Sequence, residues 1–330
     1  MNVAKKMLDN VGQKYQHIYE DLQHSIEKNL WQSSLLLRQK FLGAKLESHQ
    51  GAHPLTYLKF GLEEGPVLIF LHGFADEKHN FFLSGKFLSS KFQIIVPDIP
   101  GFGDSKKYLD RTYMLDTYAL WIDDLVQSLG IKEFHLMGNS LGGGIAIKYT
   151  LLYPQKVQSL VIVDSAGVHP EKSRSLYCEF LEGKNLFLLN HPQDFEAFLK
   201  RVFYKRPYIP SFLFNFIARD FHNNRDWYAK LTRDLLHGPH AFSEKIPNWQ
   251  ERIDLGLNPH LKKIDIPTFI LWGKEDSLFP TEIAHILKRE IAQSELKIYN
   301  EVGHSPQAEI PWRFVQDLLR FYRPLLKSKV

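Results

Sequence analysis

Gly138-Asn139-Ser140-Leu141-Gly142-Gly143-Gly144 is the stretch from which the rest of the chain can be read. It follows Phe134-His135-Leu136-Met137, a short run of strand character. It opens a helical segment, Leu141 to Tyr153, that stops before Pro154. A serine between two glycines at a strand-to-helix junction sits on a sharp, strained turn that pushes its hydroxyl out over the end of a sheet. Side chains at positions 138 and 142 would collide where the helix and the strand approach. The helix N-terminus favours negative charge as it develops beside the hydroxyl. A glycine-rich turn that serves packing alone is the plainer reading. The flanking elements and the partners further along the chain favour a nucleophile at Ser140.

Outward from this turn, strands alternate with helices. Leu55 to Phe60, Val67 to Leu71, Phe92 to Val96, Val157 to Val163, Thr268 to Trp272 and Glu295 to Tyr299 read as strands. Tyr118 to Leu129, a segment from about 281, and Trp312 to Leu326 read as helices. The short apolar runs suit strands buried on both faces, so the expected class is α/β, a mostly parallel sheet with helices on both faces. The alternation breaks over 168–250, which holds 16 aromatic residues in 83 positions against 13% for the whole chain. This segment reads as a helical cap inserted over the open end of the sheet. Its aromatics are expected to line an apolar pocket, some of them forming the cap's own core. Residues 1–48 read as a helical extension, with Leu8, Val11, Tyr15, Ile18, Leu22, Ile26 and Leu30 at the spacing of one helix face. Packing on the domain is the expected role of that face. The alternative is an interfacial membrane helix, disfavoured because residues 1–30 carry four lysines against four acids. The organisation is therefore an extension at 1–48, a core at 49–167 and 251–330, and a cap at 168–250.

Three further motifs supply partners for Ser140. Leu71-His72-Gly73-Phe74 ends an apolar strand. Acyl transfer needs two backbone N–H donors aimed at the developing oxyanion, and Phe74 and Leu141 are the expected pair. His72 reads as a structural residue that holds the loop. Leu271-Trp272-Gly273-Lys274-Glu275-Asp276 offers Asp276, and Val302-Gly303-His304-Ser305-Pro306 offers His304, in the order serine, acid, histidine. Asp164, one strand earlier, is a rival acid read as a turn or cap-anchoring residue. Glu275 is read as pointing away. Pro97-Asp98-Ile99-Pro100-Gly101-Phe102-Gly103-Asp104-Ser105 lacks the spacing of a dinucleotide loop and reads as a shaped turn beneath the site.

Composition excludes several classes. The net charge is +4, from 41 basic and 37 acidic residues, and no basic and aromatic cluster of nucleic-acid scale occurs. One cysteine, Cys178, rules out an internal disulfide and a cysteine zinc cluster. The 15 histidines show no H-E-x-x-H spacing. No signal peptide or membrane-spanning run is visible. The expected location is cytoplasmic, with peripheral membrane contact as the alternative.

The motifs LHGF, PDIPGFGDS, GNSLGGG, LWGKED and VGHSP, in this order, resemble the α/β-hydrolase superfamily over about residues 50 to 328. Within the cap, Phe221 to Leu231, together with Asp164-Ser165-Ala166-Gly167, resembles the monoacylglycerol lipase branch, which includes mammalian membrane-bound enzymes and certain bacterial lipases. The mammalian branch carries an apolar N-terminal membrane helix, where this chain has an amphipathic segment. The resemblance implies Ser140 as nucleophile, Asp276 as acid and His304 as base of a carboxylic ester hydrolase, with no cofactor and no metal. Its expected substrate is a small-molecule or lipid ester, with no nucleic-acid partner. Two alternatives share this framework. One is a carbon–carbon bond hydrolase of ring-cleavage products, which needs a cation such as Arg219 or Arg225 for its substrate carboxylate. The other is a non-catalytic ligand binder.

Overall fold

The computed structural model describes residues 2–237 and 256–327. Eight strands form one sheet: β1 (Lys45–Ser48), β2 (Thr56–Gly61), β3 (Val67–Leu71), β4 (Gln93–Pro97), β5 (Phe134–Asn139), β6 (Val157–Val163), β7 (Thr268–Gly273) and β8 (Ser294–Tyr299). Their order is β1-β2-β4-β3-β5-β6-β7-β8. The pairs β1–β2 and β2–β4 are antiparallel, and every other pair is parallel. The strand order reverses between β3 and β5, so a crevice opens beyond their carboxyl ends.

Both faces of the sheet are covered, which is why its strands read as unbroken apolar runs. Alternate residues belong to opposite cores. Ile69, Leu136, Ile162 and Ile270 face one side, with the helices α3 (Leu115–Ser128), α4 (Leu141–Leu152) and α9 (Thr281–Glu290). Leu68, Met137, Val161 and Phe269 face the other, with α2 (Phe82–Leu88) and α10 (Pro311–Lys327). Between β6 and β7, the described part of the cap supplies α5 (Leu176–Leu181), α6 (Phe195–Val202), α7 (Ser211–Asn223) and α8 (Arg225–His237). The remainder of the expected cap, 238–250, lies outside the described residues. Much of the cap's aromatic content is its own core: Phe187, Phe195, Phe198 and Phe221 are buried in one cluster continuous with the sheet. Helix α8 ties the cap to the core, with Trp227 Nε1 donating to Gly101 O at 2.7 Å and Asp234 Oδ2 accepting from Tyr113 N–H at 3.0 Å.

The N-terminal segment departs from expectation in two ways. Helix α1 (Asn2–Leu42) ends before 48. Gly43 takes φ +67°, and the bonds Ala44 N→Gln39 O and Gly43 N→Lys40 O close the helix end, so that 45–48 leaves as an edge strand. The second departure is the orientation of the helix. Leu22, Ile26 and Leu30 are exposed at 59%, 51% and 44%, and Leu37 and Phe41 continue their stripe on the solvent side. The helix packs through the opposite face. Glu27 is buried and ion-paired with Arg219 of α7, His24 and Trp31 stack on Phe216, and Leu42 enters the core.

This orientation sets a stability test. Leu42→Ala should lower the unfolding free energy by about 2–5 kcal/mol, the cost of truncating a core leucine. Ile26→Ser should change it by less than about 0.5 kcal/mol. Urea titrations of both variants check the assignment of faces.

Candidate active site

The sheet register brings the motifs to one level. Leu71 pairs with Gly138, Asn139 with Val163, Val163 with Leu271, and Gly273 with Tyr299. The residues that follow these strand ends, His72 to Phe74, Ser140, Asp164, Asp276 and His304, are thus delivered to the same edge of the sheet.

Ser140 sits at φ 55°, ψ −119° and is 8% exposed. That backbone conformation is strained for a residue with a Cβ and is held by its surroundings. A Cβ at Gly138 would lie 2.1 Å from Gly142 O, and one at Gly142 would lie 2.1 Å from Leu71 O. Both glycines are therefore demanded by the close approach of α4 to β3 and β5. The loop after β3 also lies beside the serine, since a Cβ at position 73 would sit 3.7 Å from Ser140 Oγ. The N–H groups of Phe74 and Leu141 are engaged by no other described residue.

His304 Nδ1 lies 2.8 Å from Asp276 Oδ2. Asp276 Oδ1 accepts from the N–H groups of Leu278 at 2.7 Å and Phe279 at 3.1 Å. Facing a carboxylate, Nδ1 carries the proton, and Nε2 keeps the lone pair that a general base needs. Ser140 Oγ makes no hydrogen bond to a described residue. Glu275 points away, its carboxylate accepting from Val302 N–H at 3.0 Å. Asp164 is no cap anchor. Its Oδ1 accepts from Gly273 N–H at 2.8 Å, joining the ends of β6 and β7.

His72 has the structural role expected of it. Nδ1 donates to Gly73 O at 2.8 Å, and Nε2 accepts from Ile99 N–H at 2.9 Å. These partners fix one neutral tautomer, and complete burial pushes the imidazole down to about 4. Beneath it, Asp98 takes bonds from Lys78 N, Lys78 Nζ and Asp104 N at 2.7–2.8 Å. Burial raises the Asp98 carboxyl to about 6 in spite of the lysine.

Two supports escaped the sequence reading. Asn139, the residue before the serine, bonds through Nδ2 to His304 O at 3.2 Å and accepts from Gln307 Nε2 at 3.1 Å. Its position inside the glycine-rich motif was the available signal. The second is the C-terminal end of α6. Val202 O accepts from His304 N–H at 2.8 Å, and Arg201 Nε bonds Ser277 Oγ at 2.8 Å. Nothing local in 201–205 marks this role.

Among the described residues, the cluster with metal-ligand spacing is Asp164, Asp276 and His304, whose ligand atoms lie within 4.8 Å of one another. The Nδ1–Asp276 hydrogen bond already engages the ligand atoms of two of the three.

Residues 66–311 match the family described as the alpha/beta hydrolase fold. The chain belongs to this family. It is 32% identical over 247 residues to Lipase 3 of Moraxella sp. (strain TA144), a match covering 74% of this chain and 73% of that lipase. It is 27% identical to monoacylglycerol lipase ABHD6 of Homo sapiens, over 78% and 75% of the two chains. A crystal structure of a membrane phospholipase A, a bacterial virulence factor, superposes with a TM-score of 0.82 at 26% identity, covering 97% of this chain and 98% of that one.

The close approach at Gly142 sets an expectation. Gly142→Ala should leave a folded chain with hydrolase activity reduced on the order of 100-fold, because displacement near 1 Å at the turn misaligns Ser140. Circular dichroism together with ester turnover measures this. Activity within tenfold of wild type would show that the approach tolerates a methyl group.

Proposed function

We propose that this chain is a serine carboxylic ester hydrolase acting on esters of apolar acyl chains, monoacylglycerols or similar lipids, through an acyl-enzyme on Ser140. The observation that carries the reading is the strained serine turn at the same sheet edge as the 2.8 Å His304–Asp276 pair. Ser140 Oγ attacks the ester carbonyl while His304 Nε2 takes its proton. The Phe74 and Leu141 N–H groups stabilise the oxyanion. The alcohol departs with the proton from His304, and water repeats the sequence on the acyl-enzyme.

The lipase relatives support the ester, and the aromatic wall supports the apolar acyl group. Phe74 of the oxyanion loop stacks on Phe187 of the cap at 4.2 Å and meets Tyr228 at 5.4 Å and Phe102 at 5.1 Å. Each additional buried CH₂ contributes about 0.8 kcal/mol. The carbon–carbon hydrolase reading loses one of its cations, since Arg219 is paired with Glu27.

The reading extends to peripheral contact with an anionic lipid surface. Among the described residues no helix is long and apolar enough to cross a membrane. The exposed stripe Leu22, Ile26, Leu30, Leu37 and Phe41 fits a helix lying in an interface. Lys86 Nζ lies 5.1 Å over the Phe41 ring, and exposed Trp312 stacks on Phe87 at 3.8 Å beside it on α2. An aromatic and basic rim of this kind suits a headgroup layer.

Ser140→Ala should lower turnover by roughly 10³-fold or more in a folded protein and abolish labelling by a fluorophosphonate. Residual activity within tenfold of wild type would sink the nucleophile assignment, and a wild-type chain that resists labelling would favour a ligand binder. Asp276→Asn should cost on the order of 10⁴, through loss of the correct imidazole tautomer.

Substrate and surface are tested separately. kcat/KM should rise from acetyl to medium-chain p-nitrophenyl esters, and a strict acetyl preference would remove the lipid substrate. At low salt the chain should bind anionic vesicles more tightly than neutral ones. The combined Leu22→Ser, Ile26→Ser and Phe41→Ser variant should lose that binding, and equal binding to both vesicle types would remove the surface contact.

A further inference from the structure

We propose that Asp164 is a positioning residue of this site: a neutral carboxylic acid that donates a hydrogen bond from Oδ2 to the Asp276 carboxylate and so fixes the acid that orients His304. The inference rests on the proposed roles of Asp276 and His304.

Asp164 follows β6 at φ +42° and is fully buried. Its Oδ1 is satisfied by Gly273 N–H, whereas its Oδ2 is buried with no donor. Facing it are Asp276 and His304, with ligand atoms within 4.8 Å, and Glu309 and Tyr299 contribute to the same surroundings. Arg313 stands over the Tyr299 ring at 5.2 Å, and among the described residues no lysine or arginine is paired with Asp164 or Asp276. Two carboxylates this close in a buried site cannot both hold a charge.

The donors decide which of the two takes the proton. Asp276 receives three N–H bonds, from Leu278, Phe279 and His304. Asp164 receives one. Glu309 is stabilised separately by N–H groups of Gly303 and Tyr204. The charge therefore resides on Asp276, and the proton on Asp164. Burial first, and the Asp276 charge second, drive the Asp164 carboxyl well above its usual range. Protonation turns the orphaned Oδ2 into a donor, and the Asp276 carboxylate lies within the same 4.8 Å cluster to accept from it. A single proton removes a buried unsatisfied atom and a like-charge repulsion together.

This arrangement separates Asp164 from a purely structural tie. The donated bond partly quenches the Asp276 charge, so the imidazolium is stabilised less than it would be by a bare carboxylate. Asp164→Asn keeps an acceptor for Gly273 N–H and replaces the O–H donor by an N–H donor. Asp164→Ala removes both.

The test uses the full chain with a soluble ester. Asp164→Ala is expected to lower kcat on the order of 10- to 100-fold with little change in KM. The acid limb of its kcat/KM profile should move to higher pH. Asp164→Asn should recover most of that loss and return the limb to its wild-type position. Infrared difference spectra of wild type against Asp164→Asn should contain the carbonyl band of a buried protonated carboxylic acid. An ionised Asp164 would give no such band, and its replacement by Asn would move the acid limb to lower pH; either result overturns the proposal. Should Asp164→Ala fail to fold, the infrared band and the Asp164→Asn profile decide alone. Fluorophosphonate labelling of wild type reports on the nucleophile independently, so a labelled enzyme without the band refutes the role of Asp164 and leaves the ester hydrolase standing.

Discussion

The rest of the site depends on the close approach of α4 to β3, where Leu71 O occupies the space a side chain at position 142 would need. That contact forces the chain to leave β5 through a tight turn, and the turn holds Ser140 at a positive φ. A strained residue persists only when its surroundings over-determine it. Here they do. The strands on both sides pair in register up to the turn, and α4 is buried along nearly its whole length.

The same economy of space governs the loops around the serine. His72 is neutral because both its nitrogens have fixed partners in a dry site, and it links the loop after β3 to Ile99. Lys78 and Asp98 then form a buried pair below, with Asp104 at the rim. Such a pair adds little net stability, but it holds the glycine-rich turn whose Gly101 carbonyl anchors Trp227 of the cap. Core and cap are thus joined through one chain of polar contacts that begins at the strand end.

The cap is more than a roof. The C-terminal end of α6 supports the His304 loop through Val202 and the Asp276 loop through Arg201, while Phe74 ties its own loop to Phe187. Displacement of α6 would therefore disturb the loops of Asp276, His304 and Phe74 together. On its outer side the cap carries Arg219, and through it the buried Glu27 of the N-terminal helix. Events at that helix and at the site are separated by one cap layer.

The local sequence determined much of this. The glycines around Ser140, the apolar runs and the order of the loops encode backbone geometry and burial over a few residues, and these suffice to define the sheet and to single out Ser140, Asp276 and His304, which the register brings to one edge. The N-terminal helix was legible as a helix, but neither its end nor its buried face was. Gly43 stops it early, and its apolar stripe loses the core contact to Glu27 and Trp31, because the partners available there are Arg219 and Phe216. Periodicity reports that a face is apolar, not what will lie against it. The tertiary structure alone decided the rest: that Asn139 would hold a carbonyl 165 residues away, that 201–205 would brace two loops, and that Asp164 and Asp276 would face each other. Those pairings depend on strand register across the sheet, and no short stretch of sequence records which distant strand its neighbour will be.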